Sequence, residues 1–406
     1  MTCLRSLAAL LLAAGMVLVA ANLRPAAAAV GPLLDRIQAD TGLSSFGAGA
    51  LTTLPVLCFG ALAPLAPALA RRVGERTAVA VALAVLLLGL LVRLGPGLGF
   101  LFVGTALAGA AIAVGNVLLP VLVRGDFPAR VGVLTGLYTT ALIGFAALAA
   151  GISVPVADAF GGGWRPGLAI WAVPAAVALL VWVPQSARPR GAGRSARGHA
   201  AGARSLLRDR VAWSVTLFFA IQSAGFYATL AWLPSVFHSH GVSTARAGFL
   251  LSLSLIVGLI PALTVPSLAT RARDQRTFVL AFVSCAAAGW LGVLLAPTAA
   301  PDVWVVLLGF GQNASFPLAL TLIVLRGGTL ANTAGLSTLV QTVGYLVAAA
   351  GPLVIGAVHG LTGSWTPALI VLLALLGPQL ILGLAAARNR TVAPAAGADA
   401  SALDRA

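Results

Sequence analysis

Between residues 7 and 387 the chain is divided into apolar runs of about 16 to 26 residues, each closed by arginine, a Gly/Pro cluster or an acid. An α-helix of that length crosses the ~30 Å hydrocarbon core of a bilayer. Lipid offers the backbone no water to bond, so spanning segments must satisfy their polar groups internally, and spanning strands would be about half as long and alternating. Helices are therefore predicted over 7–30, 46–70, 77–92, 98–123, 131–153 and 166–185, then over 211–235, 246–268, 277–296, 303–325, 335–357 and 366–387. With 60% hydrophobic and 9% charged residues, this is an all-α membrane protein with twelve transmembrane helices, not a soluble globular chain.

Arg5 followed by LAALLLAAGMVLVAA has the outline of a secretory signal peptide. The run stays apolar past Asn22 and Arg24 as far as Pro32, long enough to span, so it is read as the first helix. The net charge of +15 would suggest nucleic acid in a soluble protein, but in a membrane protein arginine gathers on the cytoplasmic side. Starting from a cytoplasmic N-terminus, 20 of the 25 arginines fall inside, Arg36, Arg93, Arg165 and Arg246 fall outside, and Arg24 lies within a helix. Both termini are expected in the cytoplasm, and no nucleic acid partner is implied. Cys3, Cys58 and Cys285 are far apart and have no ligand pattern around them, so neither a disulfide framework nor a metal site is indicated.

The stretch SARPRGAGRSARGHAAGARSLLRDR, Ser186 to Arg210, has no hydrophobic period and reads as a cytoplasmic linker. It divides the chain into a six-helix bundle at 1–185, the linker at 186–210, a second six-helix bundle at 211–387 and a tail at 388–406. The bundles match at an offset near 200: RRVGER (Arg71–Arg76) with RARDQR (Arg271–Arg276), Asn22 with Gln222, and Gly144 and Gly151 with Gly344 and Gly351. Asn116 precedes Pro120 by the same four residues that separate Asn313 from Pro317. Two parallel six-helix repeats with a basic central loop point to the major facilitator superfamily architecture, which places a substrate site near the midplane between the halves.

Arg24 is the residue most in need of explanation, because a guanidinium at mid-depth costs about 2.5 to 3.5 kcal/mol even on the lenient insertion scale and by default faces a cavity and a partner. All ten acids lie in loops, at helix ends or in the tail. If the protein supplies no deep counter-ion, the substrate does, as a small anion or acceptor-rich molecule held by the guanidinium fork. Pro25 frees a carbonyl of the preceding turn and shapes the helix beside it. Asn22, Asn116, Tyr138, Gln222, Tyr227, Asn313 and Gln341 are the further candidates for lining; for each, a hydrogen bond between helices is the competing role. His238 and His240 are expected in an outer loop.

ANLRP in the first helix, followed by GPLLDRIQADTGLS and LTTLPVLCFGALAPLAPALARRVGER, resembles the cyanate and 2-nitroimidazole porter family of the major facilitator superfamily, as does AWLPSVFHSHGVSTARAGFLLS after the linker. The resemblance implies the twelve-helix fold, an inner-membrane location and transport of a small anion or small polar organic compound. The superfamily's loop between its second and third helices usually runs Gly-x-Leu-Ala-Asp-Arg-x-Gly-Arg-Arg. Here PALARRVGER keeps Arg72, Gly74 and Arg76 as candidate gating residues, but has Arg71 where the aspartate stands, leaving Glu75 or Asp126 to supply the negative charge.

The expected function is secondary active transport by alternating access, with a small-molecule substrate, the bilayer as partner, protons as a candidate coupling ion, no cofactor and a monomeric state. The alternative is a proton-coupled exporter of drugs or other organic compounds, which would be expected to place Asp or Glu in the membrane. An enzyme is not expected: no helical HExxH, paired acids or Ser/His/Asp set lies at membrane depth.

Overall fold

Proline sets where the helices break. The computed structural model describes residues 2–186 and 206–392, so most of the predicted linker and tail lies outside the described residues. The first span begins as α1 (Thr2–Ala21), stops at a turn over residues 22–24 and resumes as α2 (Pro25–Ala28), where Pro25 has no N–H to return to the preceding turn. Next come α3 (Leu34–Thr41), α4 (Ser45–Ala61), α5 (Leu65–Val73), α6 (Glu75–Val92), α7 (Leu98–Asp126) and α8 (Val131–Ala159). The sixth span is α9 (Trp164–Ala169) plus α10 (Ala172–Ser186), broken ahead of Pro174. The second half comprises α11 (Arg210–Ser239), α12 (Thr244–Val257), α13 (Leu259–Arg271), α14 (Arg276–Leu295), α15 (Pro301–Gly327), α16 (Leu330–Thr362) and α17 (Trp365–Ala386).

Eleven helices among the described residues are long and apolar enough to span a membrane, and the pair 47–61 and 65–73, bent by 57° around Pro64, makes a twelfth. The twelve predicted spans are thus found, with two differences at their edges. Residues 34–41, between two predicted spans, form the short helix α3, and His238, expected in an outer loop, lies in the last turn of α11 with His240 as its cap.

The chain separates into two compact units, one built from the six spans up to Ser186 and the other from the six after it, with residues 129–136 grouping with the second. In each unit the fourth span is the centre. Of the most apolar window of α7 and of α15, 83% is buried, against 22–56% for the other long helices, whose outward faces carry large apolar side chains as lipid-facing helices do. The repeat is also visible in close packing: a Cβ on Gly89 would lie 2.7 Å from the backbone N of Ala108, and one on Gly289 would lie 2.6 Å from that of Leu308. Small residues let the third and fourth helices of each unit approach backbone to backbone.

At one end of the first unit, Leu33, Ile37 and Leu43 pack with Trp164, Leu168 and Trp171, and polar bonds clasp α3 to α9. The Asp40 carboxylate accepts from Trp164 Nε1 at 2.8 Å and from Arg165 Nη1 at 3.0 Å, while Arg36 pairs with Asp158 at 2.8 Å. The Trp164 hydrogen bond, then that of Arg165, holds the Asp40 carboxyl below its ordinary value. A depressed folded-state pKa means that the contribution is present above the unfolded value and is lost as pH falls through the folded one. Wild-type protein should therefore out-melt Asp40→Asn by a constant margin from about pH 8 to about pH 5, the margin closing only below about pH 4. A margin that instead grows with acidification would refute this role.

Candidate functional site

At several helix breaks a carbonyl is left without its usual donor, and a polar side chain recaptures it. In the first span the amides of Asn22 and Leu23 bond three residues back, to Val19 and Ala20, at 3.0 Å. This withdraws Leu18 O from the helical ladder, and the Asn22 side chain takes its place, donating from Nδ2 to Leu18 O at 2.9 Å and to Pro174 O of α10 at 3.1 Å. One residue type thus mends the helix and ties it to its neighbour.

Two turns on, Val30 N bonds Ala27 O, leaving Ala26 O open to another donor. That donor is Arg93, the residue after α6, whose Nη1 reaches Ala26 O at 2.8 Å and whose Nη2 reaches Leu168 O, near the end of α9, at 3.0 Å. Arg93 is 0% exposed. A cation on carbonyls at helix ends is favoured by the local dipoles, and here one side chain caps the end of α2 in the first span and the end of α9 at the break of the sixth. In the sequence Arg93 stands only among the loop arginines, with no signal of this role.

Arg24 stands in the turn fixed by these two side chains. It is half-buried, with Nε buried, and caps the start of α2. Its neighbour Leu23 occupies the space left by Gly115 of α7, where a Cβ would lie 2.6 Å from Leu23 Cδ2; Asn116, the next residue along, is buried. Because the obstruction is the far end of a flexible side chain, Gly115→Ala should fold but displace the turn. Transport should fall by up to about tenfold while thermal stability stays near wild type, measured on the same preparation. An unchanged rate would show that the turn's position does not matter.

The second unit is also tied by side-chain amides, and at one break an amide recaptures a released carbonyl. Gln222 Nε2 donates to Gln312 O at 3.3 Å, and Thr229 Oγ1 donates to Gln312 Oε1 at 2.9 Å, binding α11 to α15. Around Gly258, whose amide bonds Leu255, Ser254 O is released and accepts Asn313 Nδ2 at 3.1 Å. A Cβ on Gly258 would meet the Asn313 side chain at 2.5 Å, so the glycine makes room for the amide. Gln341 and Tyr138 are buried, and half-buried Tyr227 packs edge-on against Phe226.

Among the eight candidate lining residues, then, Asn22, Gln222 and Asn313 spend amide donors on backbone carbonyls, while Arg24 and Tyr227 keep partial exposure. Gln312, a deep polar residue in the sequence, bonds between helices, and Thr229 and Ser254 complete polar contacts that the sequence did not single out. In the candidate gating loop, Arg72 and Gly74 are exposed and Gly74 has φ +86°, a left-handed-side geometry suited to glycine. Arg76 pairs with Asp126 at 3.0 Å and its carbonyl accepts from Trp182 Nε1 at 2.8 Å, so Asp126 supplies a negative charge beside this loop.

The family described as Major Facilitator Superfamily matches residues 10–352. The chain is 38% identical to the 2-nitroimidazole transporter of Escherichia coli (strain K12) over 97% of its own length and 100% of that protein. It is 31% identical to the cyanate transport protein CynX of the same strain over 86% and 90% of the two chains. The fold is similar to that of the solved proton:xylose symporter XylE, with a TM-score of 0.77, 14% identity and coverage of 93% and 95%.

Proposed function

This chain belongs to the major facilitator superfamily, within it to the family of the 2-nitroimidazole and cyanate transport proteins, and we propose that it carries a small anion or small polar organic compound by alternating access, with Arg24 as the anchor. It is a multi-pass membrane transporter and not an enzyme. The observation that carries the substrate reading is the break in the first span: a permanent positive charge stands inside an apolar span, in a turn that Asn22 and Arg93 hold from two sides. A pre-positioned guanidinium favours an anion or a planar, acceptor-rich group, because its fork donates two parallel bonds without first being ordered.

The reading includes both termini in the cytoplasm, a functional monomer, and Tyr227 and Asn116 as further contacts. Asn22, Gln222 and Asn313 hold the helices that present those contacts. Moving a monoanion into a negative-inside cell costs about 2.3 kcal/mol per 100 mV, so uptake against a gradient needs a co-transported cation such as the proton, whereas export runs downhill electrically.

A thermal-shift screen of purified protein tests the substrate class. Cyanate, other small monoanions and nitroimidazoles should raise the melting temperature of wild type and leave Arg24→Ala unmoved. Stabilisation by organic cations alone, equal in both proteins, would replace the anion reading with the drug-exporter alternative.

A further inference from the structure

At the end of the second unit, a concavity of about 460 Å³ is lined by Arg273, Asp274, Arg276, Arg388, Asn389 and Arg390. Four guanidiniums and one carboxylate share this small volume. The one ion pair among these lining residues is Arg276 with Asp274, at 3.5 Å; Arg273, Arg388 and Arg390 are exposed and have no acidic partner among the described residues.

The two segments that carry these arginines are held together by a buried network. Arg326, 2% exposed, donates from Nε to Ala386 O at 2.9 Å, from Nη2 to Ala387 O at 3.0 Å, and from Nη2 to the side-chain oxygen of Gln275. Gln275 N in turn donates to Ala387 O at 3.1 Å, and Val392 N donates to Arg326 O at 2.9 Å. These bonds cap α17 and hold the 388–390 segment beside the 273–276 loop, so the arginines converge without help from a ligand.

About one turn from Arg276, Leu280 of α14 is 46% exposed, and about two turns before Arg388, Ile381 of α17 is 70% exposed, so the helices that end in these arginines present apolar side chains outward. A cluster of positive charge at a helix end above an exposed apolar face matches an amphiphile with an anionic head.

We propose that this concavity is a binding site for a phosphoryl anion, occupied by the headgroup of an anionic phospholipid. The phosphate oxygens take the forks of Arg273, Arg388 and Arg390, and the acyl chains lie along Leu280 and Ile381.

The test is a lipid titration of the full-length protein in detergent, followed by native mass spectrometry, with phosphatidylglycerol, phosphatidylcholine and inorganic phosphate as probes. Wild type should prefer phosphatidylglycerol, and Arg388→Gln with Arg390→Gln should weaken that binding about thirtyfold. Arg71→Gln with Arg130→Gln removes the same charge from exposed loop arginines elsewhere and should leave the preference intact. If inorganic phosphate alone binds wild type and displaces the lipid, the phosphoryl site stands with free phosphate as its ligand. The proposal is overturned if neither phosphatidylglycerol nor phosphate is preferred over phosphatidylcholine, or if both double variants lose binding equally.

Discussion

Arg24→Ala should abolish measurable transport while the protein still reaches the membrane and melts near wild type. Arg24→Lys should retain a minor fraction. Asn22 and Arg93 bind carbonyls on either side of the turn that carries Arg24, so the fold should survive the loss of its side chain. Losing two charge-assisted hydrogen bonds, each contributing about 1.5 to 3 kcal/mol, weakens substrate binding by at least two orders of magnitude. Lysine keeps the charge but not the planar fork, so a weakening of about tenfold is expected instead. The measurement is uptake into proteoliposomes at matched protein density, with melting temperatures alongside. Undiminished transport by both variants would remove Arg24 from the substrate path.

Arg93→Met gives the second large effect, with the opposite signature. Methionine fills much of the apolar volume of the arginine stem but donates nothing, so Ala26 O and Leu168 O both lose their donor inside the protein. Each unsatisfied carbonyl costs about 1 to 3 kcal/mol, so a loss of several degrees in melting temperature is expected together with a loss of transport. Arg93→Lys brings a single ammonium at the end of its stem and should restore part of each. If Arg93→Met melts like wild type, the first span needs no donor from Arg93, and the part of the account in which Arg93 positions Arg24 fails.

The spans and their repetition were legible in the sequence because lipid leaves so few solutions: an apolar run of this length has to be a helix, and two matched sets of six have to be related units. Proline marked where the first span would deform. Which side chain would recapture each released carbonyl was not legible, because that depends on what the neighbouring helix brings within about 3 Å. Asn22 and Gln222 therefore stood out as polar residues at matched positions, yet one bonds Pro174 of the sixth span and the other Gln312 of the tenth. Arg93 was hidden for the same reason: it looks like any arginine closing an apolar run, and only its place between two broken helices makes it the most buried charge in the first unit's described residues. The loop motif, by contrast, left Glu75 or Asp126 as the charge beside RRVGER, and the ion pair with Arg76 places Asp126 there.

The most direct test of the central claim compares an anionic ligand from the thermal-shift screen with its uncharged isostere, binding each to wild type and to Arg24→Gln. A charge anchor predicts coupling: the substitution should weaken the anion on the order of a hundredfold and change the neutral isostere by less than about threefold. Equal losses for both ligands would mean that Arg24 only shapes the protein, and would contradict the account.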